Sequence, residues 1–239
     1  MEVNELERMI REKEGSLSMA FPALMRKVYV WMTLALLITG VTAYGVAASP
    51  SLVSTIYSSK AVVIGLFVAE IALVMWITAR LDKLSLQTAT LLFILYSVLN
   101  GVVLSSVFLA FQLGTIAKVF FITAGTFGAT AAYGYFTHRD LTRLGSLLMM
   151  LLIGIIIATV VNVFLIKSTM FDLVISYIGV AVFVGLTAWD TQSIKRMLAM
   201  QTDMGEGAQK IALIGALSLY LDFINLFLYI LRIFARSDN

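Results

Sequence analysis

The sequence predicts an all-α integral membrane protein, a bundle of seven transmembrane helices. Three observations carry that expectation. Of 239 residues, 60% are hydrophobic and 13% are charged, about half the charged fraction of soluble domains, and the mean hydropathy is +0.96. Seven apolar runs each approach the roughly 20 residues that cross a bilayer as a helix. The chain has two prolines, Pro22 and Pro50, both near the edges of apolar runs, so long helices can stay unbroken. A soluble domain of this length cannot hide so much apolar surface. A disordered or nucleic-acid-binding chain would be rich in charge. With no cysteine and a single histidine, His138, disulfides, thiol chemistry and a multi-histidine zinc site are excluded. No resident cofactor is expected.

Residues 1–26 form a polar tail in which Glu2, Glu5, Glu7, Glu12 and Glu14 mix with Arg8, Arg11 and Lys13. Such an end reads as solvated and partly disordered, and it is too long and acidic to be a cleaved signal peptide. Residues 27–239 then form the membrane domain. Span 1 covers about Lys27–Ala48. Span 2, about Ala61–Ala79, sits between Lys60 and Arg80. Span 3 covers about Leu86–Phe111. Span 4, about Ile116–Thr137, carries Ala124, Gly128 and Ala132 at every fourth position, expected as close-packing sites. Span 5, about Ser146–Ile166, precedes Lys167. Span 6 covers about Leu173–Ile194. Span 7, about Ile211–Phe234, follows the longest inner gap, Lys195–Lys210, which contains Gly205 and Gly207.

Orientation follows from the basic residues. With the N-terminus cytoplasmic, the inner segments hold twelve Lys and Arg: Arg8, Arg11, Lys13, Arg26, Lys27, Arg80, Lys83, Arg139, Arg143, Lys195, Arg196 and Lys210. The outer segments hold five: Lys60, Lys118, Lys167, Arg232 and Arg236. Seven spans then place the C-terminus outside.

Ionisable groups inside a membrane helix are costly and usually functional. They are few: Glu70 in span 2, Asp190 in span 6 and Asp222 in span 7, with Arg80 at the inner end of span 2. Asn100, Asn162 and Asn225 are their uncharged companions, and Asn100 and Asn162 suit interhelical hydrogen bonds. At 1.5 Å per residue, Asp222 lies roughly 16 Å from the inner face and Glu70 roughly 15 Å. Two polar levels are expected: Arg80 with Asp190 near the inner face, and Glu70 with Asp222 near the middle. On topology alone Arg80 reads as an interfacial anchor. A carboxylate that merely joined helices could be Asn at lower cost, so the aspartates point to function.

Two stretches are distinctive: Gly179-Val-Ala-Val-Phe-Val-Gly185-Leu-Thr-Ala188-Trp-Asp190-Thr-Gln192 and Gly215-Ala-Leu-Ser-Leu-Tyr220-Leu-Asp222-Phe-Ile-Asn225-Leu-Phe. Both resemble the Bax inhibitor family of membrane proteins, most closely its bacterial members. The resemblance extends over nearly all of the chain after residue 20, including Gly128, Tyr133-Gly134 and Asn162. Trp189 stands where tyrosine is more usual. The resemblance implies six helices wrapped around a central C-terminal one. It also implies a pH-dependent calcium leak in a bacterial inner membrane, with Ca²⁺ and protons as the ions handled and no enzymatic activity. Asp190 and Asp222 correspond to the family's paired-carboxylate sensor, and Arg80 by position to a latch on the first of them.

The physics of such a pair stands by itself. Two nearby carboxylates in a low dielectric cannot both ionise cheaply, so they share a proton. The proton clips two helices together, and its loss leaves like charges that push them apart. The doubly charged pair is a hard oxygen site suited to Ca²⁺, though two carboxylates are too few for tight binding. Other readings use the same residues. An intramembrane aspartyl protease also sets one Asp on each of two helices, but it usually needs Gly-x-Gly-Asp, and Asp222 follows Leu219-Tyr220-Leu221. A rhomboid-type serine protease would need Gly-x-Ser-x-Gly, which is absent. A proton-coupled cation exchanger would work by alternating access. An interaction protein that restrains a membrane protease or a cell-death partner would depend on the tail instead of the aspartates.

Overall fold

The computed structural model describes residues 3–80, 83–201 and 203–237, with the backbone alone in the stretches 3–20 and 236–237. The described residues form eight α-helices and no strand: α1 Val3–Ala47, α2 Pro50–Tyr57, α3 Lys60–Arg80, α4 Leu86–Ala110, α5 Leu113–Phe136, α6 Thr142–Val161, α7 Thr169–Ala199 and α8 Glu206–Ser237. Seven of them are long and apolar enough to cross a membrane: Phe21–Ala47 of α1, then α3, α4, α5, α6 with its extension to Ile166, α7, and Glu206–Ala235 of α8. These match the seven spans read from hydropathy to within a few residues, except that the first begins six residues earlier, at Phe21, and the last two begin or end further out. The short α2 is the exception to spanning. It starts with Pro50 in its first turn, where a missing N–H costs nothing.

Local chemistry sets the helix ends. Ser85 caps α4 by accepting from the Thr88 N–H at 3.2 Å, and Ser168 caps α7 by accepting from the Phe171 N–H at 3.3 Å. Between α6 and α7 the chain makes one π turn, Asn162–Ile166, stopped by Lys167 in the left-handed region at φ 52°. Asn162 holds that turn. Its Oδ1 accepts from the Ser168 N–H at 3.0 Å and its Nδ2 donates to the Ser168 carbonyl at 3.1 Å. The backbone of α1 is helical from Val3 onward, where an irregular tail is expected. Glu7 with Arg11 and Arg8 with Glu12 fall at the i,i+4 spacing that supports a helix. Leu81 and Asp82 of the turn between α3 and α4, and Asn239 at the C-terminus, lie outside the described residues.

The architecture is six helices around a central C-terminal one. In the most apolar stretch of α8, 67% of residues are buried, against 39% or less for every other span. Helices α1, α4, α5 and α7 pack directly on α8. The outer two are more remote: α3 packs mainly on α4, and α6 on α7. Close helix crossings are made at glycines. A Cβ on Gly134 of α5 would collide with the Ala188 carbonyl of α7, and one on Gly145 of α6 with the Trp189 indole. On the α7–α8 seam, a Cβ on Gly215 would sit 3.0 Å from Ile194, and one on Gly179 2.7 Å from the Tyr229 ring. Of the stripe Ala124, Gly128, Ala132, the first packs against the core as expected and the other two do not. A Cβ on Gly128 would meet nothing within 4 Å, and Gly128 and Ala132 are exposed. Small residues at this spacing permit a close crossing only where a neighbouring helix comes near, and at this height none does.

Candidate functional site: two carboxyls between α7 and the central helix

The register of α7 on α8 is set by the Gly179–Tyr229 and Gly215–Ile194 contacts. That register places Asp222 opposite Thr187, which lies beside its carboxyl. Asp190 is three residues from Thr187, about 4.5 Å along the axis. The two aspartates are therefore about one turn apart in height, and their carboxyl groups face each other. The expected separation into two levels is corrected here. Both helices run past the spans read from hydropathy, and the glycine contacts shift one against the other.

Burial is unequal. Asp222 is 5% exposed, whereas Asp190 is half-buried. The Asp222 Oδ2 is enclosed and receives no hydrogen bond from any described donor. Thr187 donates its hydroxyl proton to the Phe183 carbonyl at 2.8 Å, and the same hydroxyl lies beside the Asp222 carboxyl. Among the described residues no ion pair reaches either aspartate. The arrangement is two carboxyls confronting each other in an apolar seam with little else to satisfy them. Such a pair is comfortable with one or two protons and uncomfortable with none.

Arg80 is not part of it. Its side chain is exposed at the end of α3, a helix that packs mainly on α4, and no ion pair joins it to Asp190 among the described residues. In this conformation there is no latch. The physical reason is the layering, since α4 and α8 stand between α3 and α7.

Glu70 forms a second polar centre on the other side of α8. The Asn100 amide donates to its Oε1, and the Tyr96 phenol lies beside it. The Asn100 Oδ1 is buried with no partner among the described residues. Tyr96 stands edge-on to Tyr220 of α8, with ring centroids 6.0 Å apart. Thr39 donates to the Ser97 carbonyl at 2.9 Å, and the Tyr220 hydroxyl is 2.7 Å from the Thr39 oxygen. With the threonine proton already committed, Tyr220 is the donor. Tyr220 and Asp222 are two residues apart, hence about 200° around the helix, so α8 presents one polar group to Thr39 of α1 and another to α7. Glu70 does not pair with Asp222, because α4 fills the space between α3 and α8. Asn225 turns back on its own helix, donating to the Leu221 carbonyl at 2.8 Å, and Asn162 serves the α6–α7 turn.

Several contributors are not picked out by sequence reasoning: Thr187, Tyr220, Tyr96, and Gln192, two turns before the end of α7. Gln192 accepts from the Leu141 N–H at 2.9 Å and donates to the Arg139 carbonyl at 2.8 Å, tying down the α5–α6 loop. Thr187 is one turn before Asp190, a spacing that would have flagged it. In the same loop Asp140 accepts from the Thr142 hydroxyl and N–H and from Arg196. These bonds hold the Asp140 carboxyl down at about 2, the Thr142 hydroxyl contributing most. Among the described residues no three carboxylate or imidazole groups converge on one point, so the pair offers an ion two carboxylates and no more.

The fold and the seam define a multi-pass helical membrane protein whose buried C-terminal helix carries one aspartate against another on the preceding helix. The chain belongs to the Bax inhibitor family: the family described as "Inhibitor of apoptosis-promoting Bax1" matches residues 22–239. It is 47% identical to the inner membrane protein YbhL of Escherichia coli over 213 residues, 89% of this chain and 91% of that protein. It is 43% identical to protein RP147 of Rickettsia prowazekii, over 87% of each chain. A Deinococcus radiodurans protein is 36% identical over 90% of each chain.

Proposed function

We propose that this protein is a pH-gated calcium leak of a bacterial inner membrane, with the Asp190–Asp222 pair as both proton sensor and ion site. The observation that carries the reading is the confrontation of two carboxyls across the seam that joins the central helix to α7. At low pH the pair is protonated and each helix hydrogen-bonds the other, so the seam is shut. As pH rises the shared proton leaves, and two like charges repel in a medium that screens them poorly. The seam loosens, and the ionised pair replaces part of the hydration shell of a hard cation such as Ca²⁺. Two carboxylates give a weak, leavable site, which suits passage better than storage. Glu70, hydrogen-bonded to Asn100, supplies a further acidic group on the opposite side of α8. The twelve-to-five basic bias supports an inside N-terminus and an outside C-terminus.

The test is calcium flux into liposomes that hold the purified protein, scanned over pH with no counter-ion gradient. A flux that rises with pH is expected. A flux that appears only with an opposing proton gradient would make the protein an exchanger, and no flux at any pH would remove the channel reading.

A further inference from the structure

Helices α1 and α5 both pack on α7 and α8 but scarcely on each other. Between them lies a groove of about 510 Å³, within the ~300–1,000 Å³ typical of small-ligand sites. One wall is Arg26, Tyr29 and Met32 of α1; the other is Gly128, Ala132 and Tyr135 of α5. Gly128 and Ala132 leave that second wall low and exposed, and a Cβ on Gly128 would meet nothing within 4 Å. Phe21 stacks on Tyr135 at the end nearest Arg26, with ring centroids 6.5 Å apart.

Charge and depth say what fits. Arg26 is exposed near one end of the groove, a turn in from Pro22, and makes no ion pair among the described residues. Behind the opposite wall the Lys195 ammonium lies over the Tyr135 ring, 4.9 Å from its centroid, and donates to the Tyr135 carbonyl at 2.7 Å. No acidic side chain lines the groove among the described residues. From Arg26 to Met32 the helix rises about 9 Å, all within a membrane-spanning stretch. The groove is thus cationic at its end and apolar along its length. A free anion would use the arginine and leave the apolar part empty. A phospholipid with a net negative charge uses both, since basic pockets between transmembrane helices take such headgroups and guanidinium matches phosphate geometry.

We propose that the α1–α5 groove is a binding site for an anionic phospholipid, with its phosphate on Arg26 and an acyl chain laid along Gly128 and Ala132. A chain seated there covers Tyr29, whose phenol lies beside the buried Thr191 hydroxyl next to Asp190. The site does not depend on the leak reading, and its test reads lipid, not flux.

The experiment is native mass spectrometry of the purified full chain, titrated with phosphatidylglycerol and with phosphatidylcholine of the same acyl chains. The wild type is expected to bind the first phosphatidylglycerol about tenfold more tightly, the worth of one charge-assisted contact. Arg26→Gln should bring phosphatidylglycerol down to the phosphatidylcholine level. Gly128→Leu, whose Cβ meets nothing within 4 Å and whose side chain would fill the groove, should weaken both lipids, and Ala132→Leu serves the same purpose if that variant fails to fold. Equal binding of the two lipids by the wild type would overturn the assignment. So would wild-type phosphatidylglycerol affinity in Arg26→Gln, or in whichever groove-filling variant folds. A dimer that the filling variants dissociate would give the groove to a second copy of the chain and overturn it equally.

Discussion

Asp222→Asn keeps the shape of the side chain and removes its charge. In the wild type the Asp222 Oδ2 is enclosed with no donor, so ionisation there is opposed by burial and by the carboxyl of Asp190. Two carboxylates about 4 Å apart repel by about 4 kcal/mol at an effective dielectric of about 20. At about 1.4 kcal/mol per tenfold, that repulsion can shift the ratio of open to closed seam by up to about a thousandfold between acid and alkaline pH. The amide abolishes this source of pH dependence. It also brings N–H donors to face Asp190, and a hydrogen bond to a charged group is worth about 1.5–3 kcal/mol, which holds α7 against α8 at every pH. Calcium passage should weaken as well, since one of two carboxylate ligands is gone. The assay is the initial rate of calcium entry into indicator-loaded vesicles, with pH equal on both sides and stepped from acid to alkaline. The expected result is a rising profile for the wild type and a low, flat one for Asp222→Asn. Asp190→Asn should also be flat, without the same loss of the ion's central ligand. A wild-type profile in both variants would refute the reasoning and move the sensor to Glu70.

Three further outcomes follow from the geometry. Gly134→Ala should lower the thermal midpoint, because its methyl collides with the Ala188 carbonyl and helix α5 must retreat from α7; overpacking of this kind costs about 1–3 kcal/mol, and an unchanged midpoint in detergent would show that the crossing is looser than described. Arg80→Ala should leave the pH profile of calcium entry as it is, since Arg80 is exposed and makes no ion pair with Asp190; a profile moved by that change would restore the latch in another conformation. Asp140, held at about 2 by Thr142 and Arg196, should stay ionised well below the ~3.9 of a free aspartate. Because its folded value is depressed, the clasp's contribution is complete above about 4 and fades as pH falls through about 2. Carboxyl carbon-13 titration of Asp140 in the wild type and in Arg196→Ala checks this, the variant titrating higher.

The seven spans are legible in the sequence because hydropathy is a local property. A run of about 20 apolar residues has only one comfortable place, whatever its neighbours do. The pair Asp190 and Asp222 is legible for a related reason, since a carboxylate in hydrocarbon is conspicuous wherever it occurs. What these groups touch is a different matter. Depth counted along single helices sets Asp190 with Arg80 and Asp222 with Glu70, whereas the fold sets the aspartates together and gives Glu70 to Asn100. Those partnerships depend on how far α7 slides along α8 and on which helix occupies each gap, and glycine contacts at Gly179 and Gly215 decide the first while α4 decides the second. The stripe Ala124, Gly128, Ala132 makes the same point. Small side chains allow a helix to approach but cannot summon one. Whether they become a crossing or the low wall of an open groove is settled by the packing of α1 and α5 on their shared neighbours, a sum over the whole bundle that no single segment encodes.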